Sequence, residues 1–590
     1  MKPSPRHAIA LFALVLAGCA GEYSSRTARN QPAAPTPRIS SYPPTSSQPA
    51  VISGNTSEPL LLVAAKGDDP KDGEKKNGRD KENGNGDKAK EPAPRTFTEA
   101  LCVYVRAVRS HPCSSCNEVL AKDKKDGDSK ADAKTNGNGK DDDTKRNPEG
   151  KKNISGMEDA KKDGDAKDDD KKKDEEDYKW FSAHFQTTMV MQNHDPLHSP
   201  YTGGFSLFPF SETRTSLTST LFLDARLWEY DSYSADLVFN PEIAGGKGFS
   251  GVNGIAGFTN GEITRVGVPE PTPYFARLFL RQVWGFGGEQ EDVEDAPNQV
   301  AGKRDINRFT LQMGKFTFTD VIDNNTYSHD PRTQMLNWSL MYNGAWDYPA
   351  NVRGYSYGIF AEYNQKDWAI RYAVMAEPTV ANGASLDPHF TKAFGQALEY
   401  EERWTIDNHP GKARLMAYLN RAHMGDYREA MMAMPVNPDV TSNREYRYKY
   451  GCGLSADQEV TRDLGIWGRL GWSDGHTESW AFTPIDRTIA MGLLLKGRCW
   501  ARPNDEVGVG GVLNGLAKDH RDYLAAGGND FSIGDGRLNY GLEEIFEVYY
   551  RFSVTKNMYI TADFQLIGNP AYNRDRGPVT AEALVVHLEY

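Results

Sequence analysis

The sequence predicts an all-β fold, a transmembrane antiparallel β-barrel of about 16 strands that follows a long disordered tether. Three observations support this prediction. Apolar and polar residues alternate repeatedly from about residue 180 to the C-terminus, and Gly, Asn, Asp and Pro clusters separate the alternating stretches. The mean hydropathy of the 590-residue chain is −0.65. Beyond the N-terminus no apolar run reaches the roughly twenty residues that a membrane-spanning helix needs.

The last predicted strand, 580–590, shows the alternation most clearly. Its two faces are formed by Leu584, Val586, Leu588 and Tyr590 and by Val585, His587 and Glu589. In a closed barrel this strand must pair with the first one. A terminal aromatic residue on such a strand resembles the signal that the barrel-assembly machinery recognises, so Tyr590 is the expected contact. The alternative is an edge strand of a soluble domain.

Residues 1–19 are predicted to be a lipoprotein-type signal peptide. Lys2 and Arg6 precede a short apolar run, and the run ends in Leu16-Ala17-Gly18-Cys19. This ending resembles a bacterial lipobox, in which Cys19 would carry the lipid. The alternative is an ordinary signal peptide with a chance cysteine.

Residues 20–177 are predicted to be a disordered, low-complexity charged tether, because they offer almost nothing to bury. The tether is either a spacer or a solvated tail without a partner. A short helical island is expected near 97–120, where it ends in the Cys113 and Cys116 pair. This pair could be redox-active, bind zinc or attach haem, but a local disulfide is the simpler interpretation.

The barrel is predicted to occupy 178–590. Its sixteen strands are expected at 180–192, 216–228, 234–242, 274–284, 307–316, 353–364, 367–376, 393–404, 412–422, 444–459, 463–473, 487–497, 504–514, 544–553, 557–568 and 580–590. Charged residues fall on the polar parity of several strands, where they would face the lumen: Glu362, Arg371, Arg414, Arg469, Arg551 and Asp563. On the lipid face, such a charge would cost about 2–4 kcal/mol near the midplane. The non-alternating stretch from Phe318 to Arg353 is expected to be a loop that folds partly into the bore.

Residues 180–590 resemble the carbohydrate-selective porin family, OprB. The matching phrases are Arg226 with Asn240-Pro241-Glu242, Gly257 to Asn260, Tyr274 to Gln282, Gly314-Lys315-Phe316, Asp323 to Tyr327, His329 to Trp338, Gly344 to Gly354, Gly471 to Gly475, Gly534 to Tyr540 and Asn569 to Pro578. The resemblance implies a sixteen-stranded outer-membrane barrel through which glucose and related sugars diffuse passively. The lipobox and the tether depart from the family pattern.

A constriction for sugars is expected among inward-facing residues of the first four strands and of the Gly-rich loop, 245–268, between the third and the fourth. The candidates are Arg226, Trp228, Glu242, Asn260, Glu262, Arg277 and Arg281. Arginine donates several hydrogen bonds to hydroxyl groups, and an aromatic ring can stack on a sugar ring. Trp228 shares the parity of Arg226, whereas Trp284 falls on the lipid parity. Alternatively, these charges merely pair across neighbouring strands and hold the wall together.

The expected partners are outer-membrane lipid, small sugars and the assembly machinery; no cofactor or metal is expected. The net charge of −12 argues against a nucleic-acid partner. A general or anion-preferring porin remains an alternative, as does a lipid-anchored barrel that ties the outer membrane to the cell wall. An enzyme is not expected, because adjacent residues such as Ser328, His329 and Asp330 rarely form a triad and no G-x-S-x-G motif is present. Coupled transport is not expected without a plug domain.

Overall fold

The computed structural model describes residues 180–262 and 269–590. The predicted signal peptide, the lipidation site at Cys19, the tether and the Cys113 and Cys116 pair all lie outside these residues. They therefore stay predictions.

Sixteen strands form one closed antiparallel barrel, which confirms the predicted fold class. Each strand pairs with its neighbour along the chain, and the last strand pairs with the first, with Val585 opposite Val190. The strands are β1 (Phe181–His194), β2 (Glu212–Tyr230), β3 (Tyr233–Gly246), β4 (Thr272–Gly285), β7 (Arg308–Phe316), β8 (Ser356–Asn364), β9 (Trp368–Ala376), β10 (Phe394–Ile406), β11 (His409–Met424), β12 (Glu445–Glu459), β13 (Leu464–Ser473), β14 (Arg487–Lys496), β15 (Glu506–Gly515), β16 (Glu543–Thr555), β17 (Met558–Gly568) and β18 (Val579–Glu589).

Two short strands outside the barrel wall form a separate hairpin between β4 and β7. They are β5 (Gln290–Val293) and β6 (Gly302–Asp305). Three α-helices lie in other connections: α1 (Trp338–Met341), α2 (Tyr427–Ala433) and α3 (Lys518–Ala525). Within the described ranges, no helix combines the length and apolar character required to cross a membrane.

The two ends of the barrel differ in the length of their connections. At one end lie the long connections, of which the longest are 247–271, 317–355 and 516–542. At the other end, where β1 begins and β18 ends, all but one of the connections have between two and nine residues. The exception is the 286–307 connection, which contains β5 and β6. Outer-membrane barrels have short periplasmic turns and longer extracellular loops, so this end faces the periplasm.

The alternation of burial along the strands follows the predicted parity. In β18, Leu584 is 42% exposed, whereas Val585 is 2% exposed. The outward residues form the lipid-facing surface, and the inward polar residues form networks across strands. In one of these networks, Arg371 of β9 pairs with Glu399 at 2.9 Å. Arg414 of β11 pairs with Glu401 at 2.8 Å and with Asp457 at 2.7 Å.

Two bulges change the predicted parity in the first strands. The register of β2 and β3 shifts between Arg226 and Trp228, so Trp228 pairs with Ala235 and leaves the parity of Arg226. This corrects the prediction that Trp228 faces the lumen. Strict alternation along β4 would place Ala276 on the lipid face with Leu278 and Leu280, but Ala276 is fully buried, since the register of β3 and β4 shifts between Asn240 and Pro241. Proline cannot donate a ladder hydrogen bond, which favours a bulge there.

Candidate functional site

The connection between β7 and β8, which we call the inner loop (residues 317–355), folds into the barrel. Most of its residues are buried, which confirms the prediction that this stretch is a loop folded partly into the bore. One branch is held by β10 and β13. Glu399 accepts a hydrogen bond from the amide of Asp323 at 2.7 Å, and the Nε of Arg469 lies 3.0 Å from the Asp323 carboxylate. The guanidinium of Arg469 also donates to the carbonyl oxygens of Ser328 and Leu340.

The inner loop also reaches the opposite wall. Glu547 of β16 accepts hydrogen bonds from the amides of Leu336 and Asn337 at 2.6 and 2.9 Å. The side-chain amide of Asn337 donates to Gln565 of β17 at 3.0 Å. These anchors lie on strands far apart around the barrel, so the inner loop crosses the bore and narrows it.

The Gly-rich loop (residues 247–271) packs against the inner loop. Trp338 donates its backbone N–H to the Phe258 carbonyl at 3.0 Å, and the two rings stack with centroids 5.0 Å apart. The carboxylate of Glu543 accepts the amides of Ala256 and Gly257. A carboxylate that accepts two backbone N–H groups fixes the position of the chain that donates them. The two loops therefore form one packed structure inside the extracellular half.

The narrowed region contains what we call the upper charged ring, formed by Glu262, Arg277, Asp320, Asp330 and Arg332. Arg277 of β4 pairs with Asp320 at 2.5 Å. Arg332 pairs with Glu262 at 3.1 Å and with Asp330 at 3.4 Å. The side chains of Asp320, Asp330 and Arg332 remain 25%, 41% and 21% exposed, so they border open space. The ring thus offers both donors and acceptors to a passing solute.

Aromatic groups adjoin this ring. The Arg277 guanidinium lies over the Tyr355 ring, 5.2 Å from its centroid. Glu242 accepts hydrogen bonds from the hydroxyl groups of Tyr274 and Tyr355 and from Thr220. Tyr342 is half-buried and packs edge-on against His329, with ring centroids 5.2 Å apart. These rings supply apolar surface beside the charges.

The sequence-predicted candidates separate into two levels. Arg277 and Glu262 belong to the upper charged ring, and Glu242 adjoins it. Asn260 donates to Ser216 and accepts the backbone N–H of Glu262, so it positions that carboxylate.

Arg226 and Arg281 lie further along their strands, toward the periplasmic end. Arg226 pairs with Asp236 on the neighbouring strand at 2.9 Å and with Glu229 at 2.6 Å. Its cross-strand pairing matches the alternative in which such charges hold the wall.

Trp228 is not near the upper charged ring. Its ring centroid lies 6.1 Å from that of Tyr233, which stacks on Trp284 at 5.3 Å. Trp284 was expected to face lipid. The strand register places it directly opposite Tyr233 on the neighbouring strand. A row of aromatic residues near one barrel end is typical of the girdles at membrane interfaces.

Three ring members on the inner loop were not among the candidates: Asp320, Asp330 and Arg332. The usable signal was the absence of alternation in their segment, which predicted a loop but gave no position for its side chains. The neighbouring Ser328 donates its hydroxyl to the Leu340 carbonyl at 2.7 Å. This contact directs it away from a role as a nucleophile beside His329.

The loop between β13 and β14 (residues 474–486) secures the inner loop from the extracellular side. Asp347 accepts the amides of Trp480, Ala481 and Phe482 at 2.7 to 3.0 Å. Lys449 of β12 lies 3.2 Å from the same carboxylate. All of these contacts are buried, so they hold three parts of the chain together.

His520 of α3 joins the same loop to the next one. It is buried 2.9 Å from Asp486 and 3.2 Å from Asp530. Burial alone would lower the pKa of His520, but the two carboxylates outweigh it and raise that pKa to about 9. In turn, the nearby imidazolium lowers the pKa of Asp486 to about 2, against the effect of burial.

The stabilisation from His520 is expected to depend on pH. Because its pKa rises from 6.5 to about 9 on folding, the contribution is complete below pH 6.5 and is lost as the pH rises through 9. The shift corresponds to roughly 3 kcal/mol. We expect His520→Gln to lower the thermal midpoint at pH 6, and the gap to the unmodified protein to close by pH 10. A gap of equal size at both pH values would contradict this assignment.

Comparisons with known proteins agree with this architecture. The family model described as carbohydrate-selective porin, OprB family, matches residues 236–587, which is more than half of the chain. Among solved structures, OprB of Pseudomonas putida is 16% identical, with a TM-score of 0.53, and the match covers 70% of this chain and 94% of that one. The outer membrane channel DcaP of Acinetobacter baumannii is 9% identical, with a TM-score of 0.38, over 70% and 97% of the two chains. No curated protein matches the sequence.

The family match confirms the resemblance found in the sequence, and the structural likeness to the Pseudomonas protein indicates a shared fold. The members of this family are channel proteins of the outer membrane and not enzymes. The chain therefore belongs to the OprB family of carbohydrate-selective porins and is a multi-pass β-barrel of the bacterial outer membrane.

Proposed function

We propose that this porin lets uncharged monosaccharides such as glucose diffuse passively into the periplasm. The observation that carries the proposal is the composition of the upper charged ring. Its two arginines are both paired with carboxylates, and the side chains of Asp320, Asp330 and Arg332 still border open space. Such a ring offers alternating hydrogen-bond donors and acceptors without a large excess of either charge.

A sugar hydroxyl both donates and accepts hydrogen bonds, so it can exchange its water for these groups. The half-buried Tyr342 provides a ring next to the charges, against which the apolar face of a sugar could rest. Since every charge already has a partner, a passing sugar competes with existing contacts and is bound weakly. Weak binding allows a solute to leave as readily as it enters.

A charged solute would gain less from this ring. An anion would meet three carboxylates beside two arginines, which disfavours the anion-preferring alternative. The proposal is tested by liposome swelling with the full chain, in which isosmotic glucose is compared with gluconate, an anion of similar size. We expect faster swelling with glucose. Equal or faster swelling with gluconate would support a general or anion-preferring porin instead.

Removal of one ring arginine should change both affinity and selectivity. Arg332→Ala takes away a donor, so the glucose concentration for half-maximal current block should rise by about 2- to 10-fold, the loss of about one hydrogen bond. It also leaves Glu262 and Asp330 without their cation, so the reversal potential in a KCl gradient should move toward K⁺ selectivity. Both quantities are measured in planar bilayers.

The matched control is Arg462→Ala, which removes the same charge from an exposed periplasmic turn. It should leave the half-blocking glucose concentration unchanged. Equal effects of the two substitutions would exclude a specific role for Arg332 and leave only the change in net charge.

A further inference from the structure

The connection between β4 and β7, which we call the periplasmic hairpin (residues 286–307), differs from the other connections at its end of the barrel. It is the only one there longer than nine residues among the described strands. Its sequence is highly polar, and Val300 is the one apolar residue of the hairpin that is buried. The contacts that order it are polar and can be followed residue by residue.

The base of the periplasmic hairpin is fastened to the wall on the β7 side. Glu291 pairs with Arg308 of β7 at 2.9 Å and with Arg304 at 2.7 Å. Asp305 accepts the amide of Gly287 and the side chain of Gln290 at 2.7 and 2.9 Å. These bonds set the direction in which the hairpin leaves the wall.

The tip of the hairpin is a tight turn. Gln299 donates its N–H to the Ala296 carbonyl at 3.0 Å, which closes a four-residue turn. Pro297 occupies the second position, and Asn298 occupies the third with φ of 62°. Proline followed by a residue with positive φ is the arrangement of a type II turn, in which asparagine is tolerated. The turn projects Asp295 and Asn298 beyond the two short strands.

This tip contacts inward-facing side chains of β1, β2, β3 and β4. The contacts are Asp295 with Ser182 at 2.6 Å and His184 at 3.1 Å, the Asn298 side chain with Asn240 at 2.7 Å, the Asn298 carbonyl with Arg281 at 2.9 Å, and the Val300 carbonyl with Arg226 at 3.4 Å. A side-chain carbon at Gly302 would also lie 3.0 Å from the Arg226 guanidinium. The tip therefore lies inside the lumen and not below it.

We propose that the periplasmic hairpin is a second constriction of the pore, placed at its exit and in series with the upper charged ring. Arg226 and Arg281 are then positioning residues, since they hold the tip in the lumen. Asp295 and His184 keep 30% and 22% of their side chains exposed and border the remaining opening. The exit thus presents polar groups that suit an uncharged polyhydroxylated solute. This proposal rests on the pore activity proposed above.

The rival explanation is that the hairpin only braces the wall. The two explanations differ in electrical terms. If two constrictions of similar resistance lie in series, removal of one of them roughly doubles the conductance of the pore. A brace outside the conducting path changes the stability of the barrel but not its conductance.

The test uses the full chain without residues 289–305. The deletion joins Gly288 to Ile306 and leaves Gly287 and Gly288, whose positive φ values of 77° and 101° suit a short turn. We expect single-channel conductance to rise about twofold. Liposome swelling should also extend to oligosaccharides that the unmodified porin excludes. A folded deletion variant with unchanged conductance and unchanged size limit would overturn the proposal.

A second variant covers the case in which the deletion fails to fold. Asp295→Ala with Asn298→Gly removes the three contacts that these two side chains make with Ser182, His184 and Asn240, and it retains the base ion pairs. Its conductance should rise by a smaller factor, and no rise would overturn the proposal by itself. Asp292→Ala, an exposed position on the same hairpin, should change nothing. Glucose-blind channels that still gain conductance would refute the proposed sugar selectivity but support the second constriction.

Discussion

Replacement of Asp347 by alanine is expected to lower the free energy of unfolding by about 3–5 kcal/mol. Asp347 is fully buried and holds Lys449, whose side chain is only 2% exposed. Without the carboxylate, Lys449 keeps a charge in a buried position with no compensation from this partner. The amides of Trp480, Ala481 and Phe482 lose their acceptor at the same time.

The effect is measured by urea unfolding of the purified full chain in detergent micelles, followed by tryptophan fluorescence. The control is Asp367→Ala, which removes an exposed carboxylate in a periplasmic turn. Such surface substitutions usually change stability by less than about 0.5 kcal/mol. If both variants unfold at the same urea concentration, Asp347 does not fasten the inner loop.

Replacement of Arg469 by methionine is the second change with a large expected effect. Its side chain is fully buried and bonds Asp323, Ser328 and Leu340 of the inner loop. Loss of this arginine leaves the Asp323 carboxylate without its cation, a cost of about 3–5 kcal/mol. Because these contacts hold the inner loop across the bore, we also expect a higher and noisier single-channel current.

The control for Arg469 is Arg498→Met, since Arg498 is 48% exposed and pairs with Asp463 on a periplasmic turn. Exposed ion pairs contribute at most about 1 kcal/mol. An Arg469→Met channel with quiet current and unmodified conductance would show that other contacts suffice to hold the inner loop.

The barrel could be predicted from the sequence because each strand repeats a simple physical rule. One face meets lipid and the other meets polar groups, so alternation marks each strand and turn residues mark its ends. The pairing of β18 with β1 follows from the need to remove sheet edges. The bulges could not be placed in this way. One extra residue in a strand reverses the parity of everything beyond it, which is why Trp228 was assigned to the lumen.

The candidate site was only partly predictable, because parity assigns a face and not a partner. Arg277 and Glu262 were expected inside, but their partners Asp320 and Arg332 come from a segment without any repeating pattern. Long loops take their positions from tertiary contacts, such as those of Asp347, that leave no local signal. The periplasmic hairpin was missed for a related reason. Its strands are short and charged, so no alternation of apolar and polar residues marks them.

We propose that this outer-membrane barrel conducts sugars through a polar constriction. The most direct test is planar-bilayer recording of the purified full chain while glucose is titrated in. We expect steady channels whose ion current falls with glucose and saturates, and a weaker block in Arg332→Ala but not in Arg462→Ala. Channels whose current does not respond to glucose at any concentration would contradict it.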